Sequence, residues 1–364
     1  MNLDLVAGAR PNFMKIGPII KAIDAYNEKQ GRQEIKYRLI HTGQHYDQNM
    51  SKSFFEQLDI PDPHVNLGAG SGTQATQTAH IMTGYEKALV EWMPDICIVV
   101  GDVNSTMACS IVAKKAGVKV AHVEAGIRSG DWTMPEEINR IVTDSITDYF
   151  FTTSEEANKN LAHEGHPEAR IFFVGNTMID SLLGHLDKMQ KPDFYDTRLH
   201  GDNYLVLTLH RPSNVDDPEK LALILTTISN AAEGTSILFP VHPRTRKVME
   251  NIPQPFQNII LVEPLPYLEF IYVVSNSLGV ITDSGGITEE TSVMDIPCIT
   301  LRTTTERPET IRLGTNELIP DIQDAPPYIH KMIHGEWKQA QLIPLWEGNA
   351  AERIVEKLVT LFKL

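Results

Sequence analysis

Residues 94–102 read PDICIVVGD: a nearly continuous apolar run, 95–100, set between Pro94 and Gly101 and followed by the acid Asp102. A strand with one face in water alternates apolar and polar side chains. This run does not, so it reads as a strand buried on both faces, as strands of parallel sheets are. The same unit recurs on either side of it. Asn2–Ala7 reads as a strand ending at Gly8. Residues 12–27 read as a helix with the stripe Met14, Ile16, Ile19, Ile20 and Ile23. Lys36–His41, 118–123 and Tyr149–Thr152 continue the strand series. Strands alternating with amphipathic helices predict an α/β fold, with a parallel sheet covered on both sides.

A polar, turn-rich stretch, 184–202, separates this series from a second one. The second has strands at 204–209, 237–241, Ile259–Val262, Gly279–Thr282 and 298–301, and a helix at 219–232. The last helix, Ala350–Phe362, carries Ile354, Leu358, Leu361 and Phe362 on one side. A chain of 364 residues suits two domains. Two doubly wound sheets are expected to share one ligand site, because ligands bind outside the carboxyl ends of the strands.

The composition is ordinary for a globular chain, with 42% hydrophobic and 22% charged residues. A net charge of −15 argues against a nucleic-acid partner, which needs a basic face. It leaves room for a small phosphorylated ligand held by a few local cations. The three cysteines, Cys97, Cys109 and Cys298, form no Cys-x-x-Cys pair, and Cys97 and Cys298, in apolar runs, read as core residues in a reducing compartment. The N-terminal MNLDLVAGARPNF does not have the form of a signal peptide, and no long apolar run suggests a membrane span. The expected location is the cytoplasm.

Residues that follow strands hold the candidate chemistry. Gly8-Ala9-Arg10-Pro11-Asn12 opens the first helix without a G-x-G-x-x-G fingerprint, so an NAD site is not indicated. Arg10 and Lys15 put cations at a strand end; their ordinary alternative is two surface charges. Asp283-Ser284-Gly285-Gly286 precedes a helix, whose N-terminal amides suit a phosphate. Its ordinary alternative is a turn capped by Asp283 or Ser284. Glu290 lies inside that helix and reads either as a hydrogen-bond acceptor for ribose hydroxyls or as a solvated acid. His210-Arg211 and His242-Pro243-Arg244 end neighbouring strands, and no third ligand falls at metal-site spacing. Arg302 and Arg307 follow another strand, so the second half reads as the diphosphate holder. Asp102, Glu124 and Glu136 supply carboxylates from the first half. Such a group divides acid and base roles, while each alone also reads as a cap or surface ion pair.

Nine stretches together resemble one family: GARPNFMK, TGQHYD, VVGDVNST, HVEAGIRS, PEEINR, LHR, PVHPR, DSGGITEE and RTTTERPE. The chain resembles the bacterial non-hydrolysing UDP-N-acetylglucosamine 2-epimerases over essentially its whole length. The resemblance implies two Rossmann-like domains facing across a cleft, the glycosyltransferase-B-like fold. It implies domains at 1–178 and 179–349, with 350–364 crossing back to the first. It implies a homodimer, no cofactor, no metal, no membrane and a UDP-sugar substrate. Position by position, Arg10 and Lys15 match substrate contacts, and Asp102, Glu124 and Glu136 match catalytic acids. His210 matches a catalytic or phosphate-contacting histidine, and Leu265 and Phe270 match a uridine pocket. Ser284, Gly285 and Gly286 match the diphosphate turn, Glu290 a ribose contact and Arg307 a phosphate contact.

The implied reaction is C2 epimerisation of UDP-N-acetylglucosamine to UDP-N-acetylmannosamine. UDP is eliminated across C1–C2 to give 2-acetamidoglucal, and re-adds after protonation from the opposite face. Rival readings are epimerisation of UDP-2,3-diacetamido-glucuronic acid, a glycosyltransferase on the same architecture, hydrolysis of UDP-GlcNAc as in some relatives, and a non-catalytic UDP-sugar sensor. The chain departs from the family's frequent His-Arg-Arg-Glu-Asn at His210-Arg211-Pro212-Ser213-Asn214, and from Gln-His-Arg at Gln44-His45-Tyr46. The latter region serves allosteric UDP-GlcNAc binding in some members, so the resemblance does not extend to that activation.

Overall fold

The computed structural model describes residues 1–43, 55–199, 203–250, 252 and 256–364. Gln44-His45-Tyr46 therefore lies outside the described residues. The chain divides into two compact units, Met1–Gly184 with Pro344–Leu364, and His185–Ile343.

In the first unit, seven strands form one sheet: β1 (Asn2–Ala7), β2 (Lys36–His41), β3 (Val65–Asn66), β4 (Ile96–Val100), β5 (Lys119–Val123), β6 (Tyr149–Thr152) and β7 (Ile171–Phe173). Their order is β3-β2-β1-β4-β5-β6-β7, and the pairings are parallel. The run that opened the reading is β4, at the middle of the sheet and wholly buried. Cys97 and Val99 pack into an apolar cluster with Ile81, Tyr85, Ala108 and Val112 from the helices Gln74–Glu91 and Asn104–Lys115. Ile96, Ile98 and Val100 alternate with them and are equally buried, which is why the run has no polar side.

The second unit repeats the plan with six strands: β8 (Tyr204–Thr208), β9 (Ser236–Pro240), β10 (Ile259–Val262), β11 (Gly279–Thr282), β12 (Cys298–Thr300) and β13 (Asn316–Leu318). Their order is β10-β9-β8-β11-β12-β13. Leu205 and Leu207 enter one apolar cluster beneath the helix Pro218–Ala231, while Tyr204 and Val206 enter another on the opposite face. The three thiols are buried in these cores, and burial pushes that of Cys298 up to about 12.

In each sheet the order reverses beside the first strand, between β1 and β4 and again between β8 and β11. Connections leaving these pairs run to opposite sides, which opens a crevice at the carboxyl ends. Residues following β1, β4, β8 and β11 therefore line the places where a doubly wound sheet takes its ligand.

The last helix, Ala350–Phe362, belongs to the first unit because side chains there complete its start. The Asp180 carboxylate accepts from the amides of Ala350 and Ala351 at 3.1 and 2.7 Å. Nearby, Trp346 Nε1 donates to the Thr153 carbonyl at 3.1 Å. Ile354 and Leu358 are buried as the stripe predicts, with Leu361 and Phe362 half-buried.

Candidate active site

The turn after β1 is fixed by close packing. A Cβ on Gly8 would fall 2.0 Å from Ser105 Oγ, so only glycine fits. The Asn12 side chain accepts from the amides of Gly8 and Ala9 at 3.1 and 3.0 Å and donates to the Val100 carbonyl at 3.1 Å. That clamp joins the β1 and β4 ends and starts the helix Arg10–Gln30 two residues before the sequence pattern does. Arg10 is exposed at its first position. Lys15, one turn on, forms an ion pair with Glu124 at the end of β5. The structure thus joins two candidates that lie 109 positions apart.

Glu124 is held at φ 75, the left-handed region that a non-glycine residue enters at a cost of about 1–2 kcal/mol. Both its amide and that of Ala125 donate to the Phe151 carbonyl, at 2.9 and 3.2 Å. Strain of this kind persists where surrounding bonds over-determine the backbone. Here it aims a carboxylate off the strand end.

Asp102 follows β4 with its side chain about one-third exposed, and Arg140 donates to it at 2.5 Å. Arg140 also reaches Glu137 at 2.8 Å. Glu137 is buried and accepts the amides of Ser129 and Gly130. Burial alone would raise its carboxyl, but those amides and Arg140 hold it below the usual range. Of the adjacent acids, Glu137 is therefore a structural anchor. Glu136 is half-buried, and among the described residues no ion pair holds it.

Beneath both acid-bearing turns lies a buried pair that the sequence reading did not single out. His122 Nε2 bonds the Gly101 carbonyl at 2.8 Å and Nδ1 faces Asp144 at 2.7 Å. Asp144 also accepts the Gly126 amide at 3.0 Å and Arg128 at 2.8 Å. Gly101 precedes Asp102, and Gly126 follows Glu124 by two positions. One buried pair therefore sets the spacing of both turns. Its only sequence signal was a histidine amid the apolar residues of β5.

In the second unit, His210 ends β8 and Asp283 ends β11. His210 Nδ1 donates to Asp283 at 2.7 Å, with the histidine side chain 58% exposed and the aspartate fully buried. The Asp283 carboxylate also accepts the amides of His210 and Arg211 and the Asn214 side chain. Burial would raise its carboxyl, but His210 and these donors keep it below its ordinary value. An ionised acid so placed orients the imidazole, as in acid–base catalytic pairs. Sequence reasoning offered Asp283 as a cap. Of the two caps the sequence allows, Asp283 and Ser284, the N-cap of the helix Gly285–Val293 is Ser284, though its side chain makes no capping bond. Gly286 is exposed there, with nothing within 4 Å of where a Cβ would sit. A Cβ on Gly285 would lie 3.7 Å from Arg302 Nη1. Arg302 is paired with Glu306 at 2.7 Å, whereas Arg307 is buried in ion pairs with Glu289 and Glu309. The glycine turn thus lies against the Arg302–Glu306 pair, whose Glu306 carboxylate is 3.8 Å from the same point.

Glu290 is buried, and Tyr267 donates to it at 3.1 Å. Burial pushes its carboxyl up to about 8. Leu265 and Phe270 flank Tyr267 in sequence and pack half-buried in one apolar cluster. A carboxyl raised in the fold is stabilised in its protonated form. Its contribution is complete below the unfolded value of about 4.5 and is lost as pH rises to about 8. Glu290→Gln should therefore melt near the wild type at pH 5 and above it at pH 8. Melting curves at the two pH values check this, and a constant gap would refute the raised carboxyl.

Among the described residues, groups spaced to share a metal ion are Glu233, His330 and His334, a set containing none of these site residues. Also among them, no helix is long and apolar enough to cross a membrane.

Residues 27–359 match the family model of UDP-N-acetylglucosamine 2-epimerase. A UDP-N-acetylglucosamine 2-epimerase of Methanocaldococcus jannaschii is 41% identical, covering 98% of this chain and 99% of its own. The UDP-2,3-diacetamido-2,3-dideoxy-D-glucuronate 2-epimerase of Pseudomonas aeruginosa is 36% identical, covering 99% and 100%. The crystal structure of the M. jannaschii UDP-GlcNAc 2-epimerase in complex with UDP-GlcNAc and UDP superposes with a TM-score of 0.87 at 40% identity, over 99% of this chain and 100% of that one. Two parallel doubly wound sheets with flanking helices, matched at full length by these enzymes, place the chain in the glycosyltransferase-B-like fold class and in the UDP-N-acetylglucosamine 2-epimerase family.

Proposed function

We propose that the chain interconverts UDP-N-acetylglucosamine and UDP-N-acetylmannosamine by eliminating and re-adding UDP. The observation that carries this reading is where the candidates fall. Arg10, Lys15 and Asp102 follow β1 and β4, and His210 and Ser284 follow β8 and β11, the two switch points. A carboxylate of the first unit takes the C2 proton while the C1–O bond breaks and UDP leaves with the bonding pair. A second acid of the set returns a proton to the opposite face of C2, and UDP oxygen re-forms the bond to C1. Asp102, Glu124 and Glu136 are the proposed acids and bases, with Arg10 and Lys15 contacting substrate. The amides of Gly285 and Gly286, which start the helix after Ser284, take the charge that develops on the diphosphate, with the cations of the second unit. His210, oriented by Asp283, acts at that same leaving group. Leu265 and Phe270 pack the uracil, Glu290 binds the ribose and Arg307 supports the phosphate side through Glu289.

Incubation with UDP-GlcNAc in heavy water should give both epimers with deuterium at C2, read by proton NMR. Epimerised product carrying only protium would refute the elimination. The likeness to the Pseudomonas enzyme favours a second reading, with UDP-2,3-diacetamido-glucuronate as substrate. Supplying each sugar nucleotide separately distinguishes the two. The family also supports a cytoplasmic homodimer, which light scattering tests as a mass about twice that of the chain.

Gly286 offers a test in which stability and binding separate. Alanine meets nothing there within 4 Å and favours a helix by up to about 1 kcal/mol over glycine. Gly286→Ala should melt no lower than wild type yet bind UDP about tenfold more weakly, because its methyl intrudes where the diphosphate approaches. Unchanged UDP affinity by calorimetry would remove the turn from the site.

A further inference from the structure

The geometry points to a divalent transition-metal site on the second unit, formed by Glu233, His330 and His334. The two histidines lie four residues apart at the end of the helix Pro326–Ile333, where i and i+4 share a face. Their rings stack at 4.1 Å and 17°. Glu233 follows the helix Pro218–Ala231, and its carboxylate lies 3.8 Å from His330 Nε2. One ligand atom from each of the three falls within 4.8 Å of the others.

Three features suit a metal better than a chance surface cluster. The first is the state of His334. Its Nδ1 lies 2.9 Å from the His330 carbonyl, which only accepts, so Nδ1 carries the hydrogen. Nε2 then holds the lone pair. A backbone carbonyl that fixes the far nitrogen of a histidine is the usual support behind a metal ligand.

The second is the rigidity of the scaffold. Ile228 and Ala232 of one element and Ile329 and Met332 of the other are buried in the same core cluster. Glu233 itself is held at φ 50. The ligands therefore stand on a fixed base.

The third is charge. The site lies at a helix C-terminus, the negative end of the helix dipole, which favours a cation. The neighbouring Lys331 is drawn over the Tyr328 ring, 5.7 Å from its centre.

Two imidazoles and one carboxylate suit Zn²⁺, Ni²⁺ or Cu²⁺, with water completing the shell. Mg²⁺ and Ca²⁺ need more oxygen ligands. Such an ion bridges the two helices, so its effect is to raise the stability of the second unit. The inference is independent of the epimerase reading.

Calorimetric titration of the chelator-treated full chain with zinc chloride near neutral pH tests it. One zinc per chain is expected, with a rise in melting temperature that magnesium chloride does not produce. His330→Ala and His334→Ala should each weaken zinc binding by at least about tenfold. Both positions are exposed, so the metal-free variants should melt with the wild type and turn over UDP-GlcNAc at its rate. Absence of binding at millimolar zinc would overturn the site. So would equally tight binding in the double variant H330A/H334A.

Discussion

Replacing Glu124 by glutamine should leave UDP-GlcNAc bound and lower kcat by about a thousandfold, the scale of losing a positioned acid or base. Glutamine keeps the shape and a hydrogen-bond acceptor for Lys15, its partner in the ion pair. What it loses is the capacity to take or return a proton. The backbone at 124 is over-determined by two bonds to the Phe151 carbonyl, so the side chain stays aimed as before. Steady-state kinetics with a separate calorimetric affinity separate the two effects. Turnover within tenfold of wild type would leave Asp102 or Glu136 to carry the C2 proton.

Asp144→Ala should be the most destabilising single change in the first unit, by about 3–5 kcal/mol. The carboxylate is fully buried among His122, Arg128 and the Gly126 amide. Removing it takes the shared acceptor from all three donors in a low-dielectric core. The apparent melting temperature should fall by about 10 °C. Burial would raise this carboxyl, but His122 and Arg128 hold it below its ordinary value. The sign follows: its contribution is complete above the unfolded value near pH 4 and is lost as pH falls further. The wild type should therefore lose stability in acid, and the variant should lose less over the same interval. Melting within about 2 °C of wild type would show that the packed turns hold without the pair.

Sheet class and the strand ends that carry the candidates were legible because both rest on local patterns. Nearly continuous apolar runs such as 95–100 announce burial on both faces, and acids or glycines that follow them mark strand ends. Strands β3, β7 and β13 have two or three residues each, too few for any periodicity to show. Relations between distant positions were equally silent. Nothing local to Asp283 tells that its carboxylate turns back to His210 on the neighbouring strand, since the same letters also spell a cap. Nor does RTTTERPE reveal that Arg307 is consumed by Glu289 while Arg302 lies against Gly285. In MPEEINR, the two acids differ only by one helical step. That step buries Glu137 on amides and leaves Glu136 half-open.

With Glu124 as a proposed proton carrier, its backbone conformation sets durability against turnover. A glycine there would relax the chain by about 1–2 kcal/mol. If Lys15 were changed to methionine as well, no ammonium would be left stranded. The doubly altered protein should then outlast its parent under heating while converting no sugar. Thermal selection alone would thus favour the loss of the reaction at this one residue, so a hardened variant of this protein has to be screened for chemistry as well as for survival.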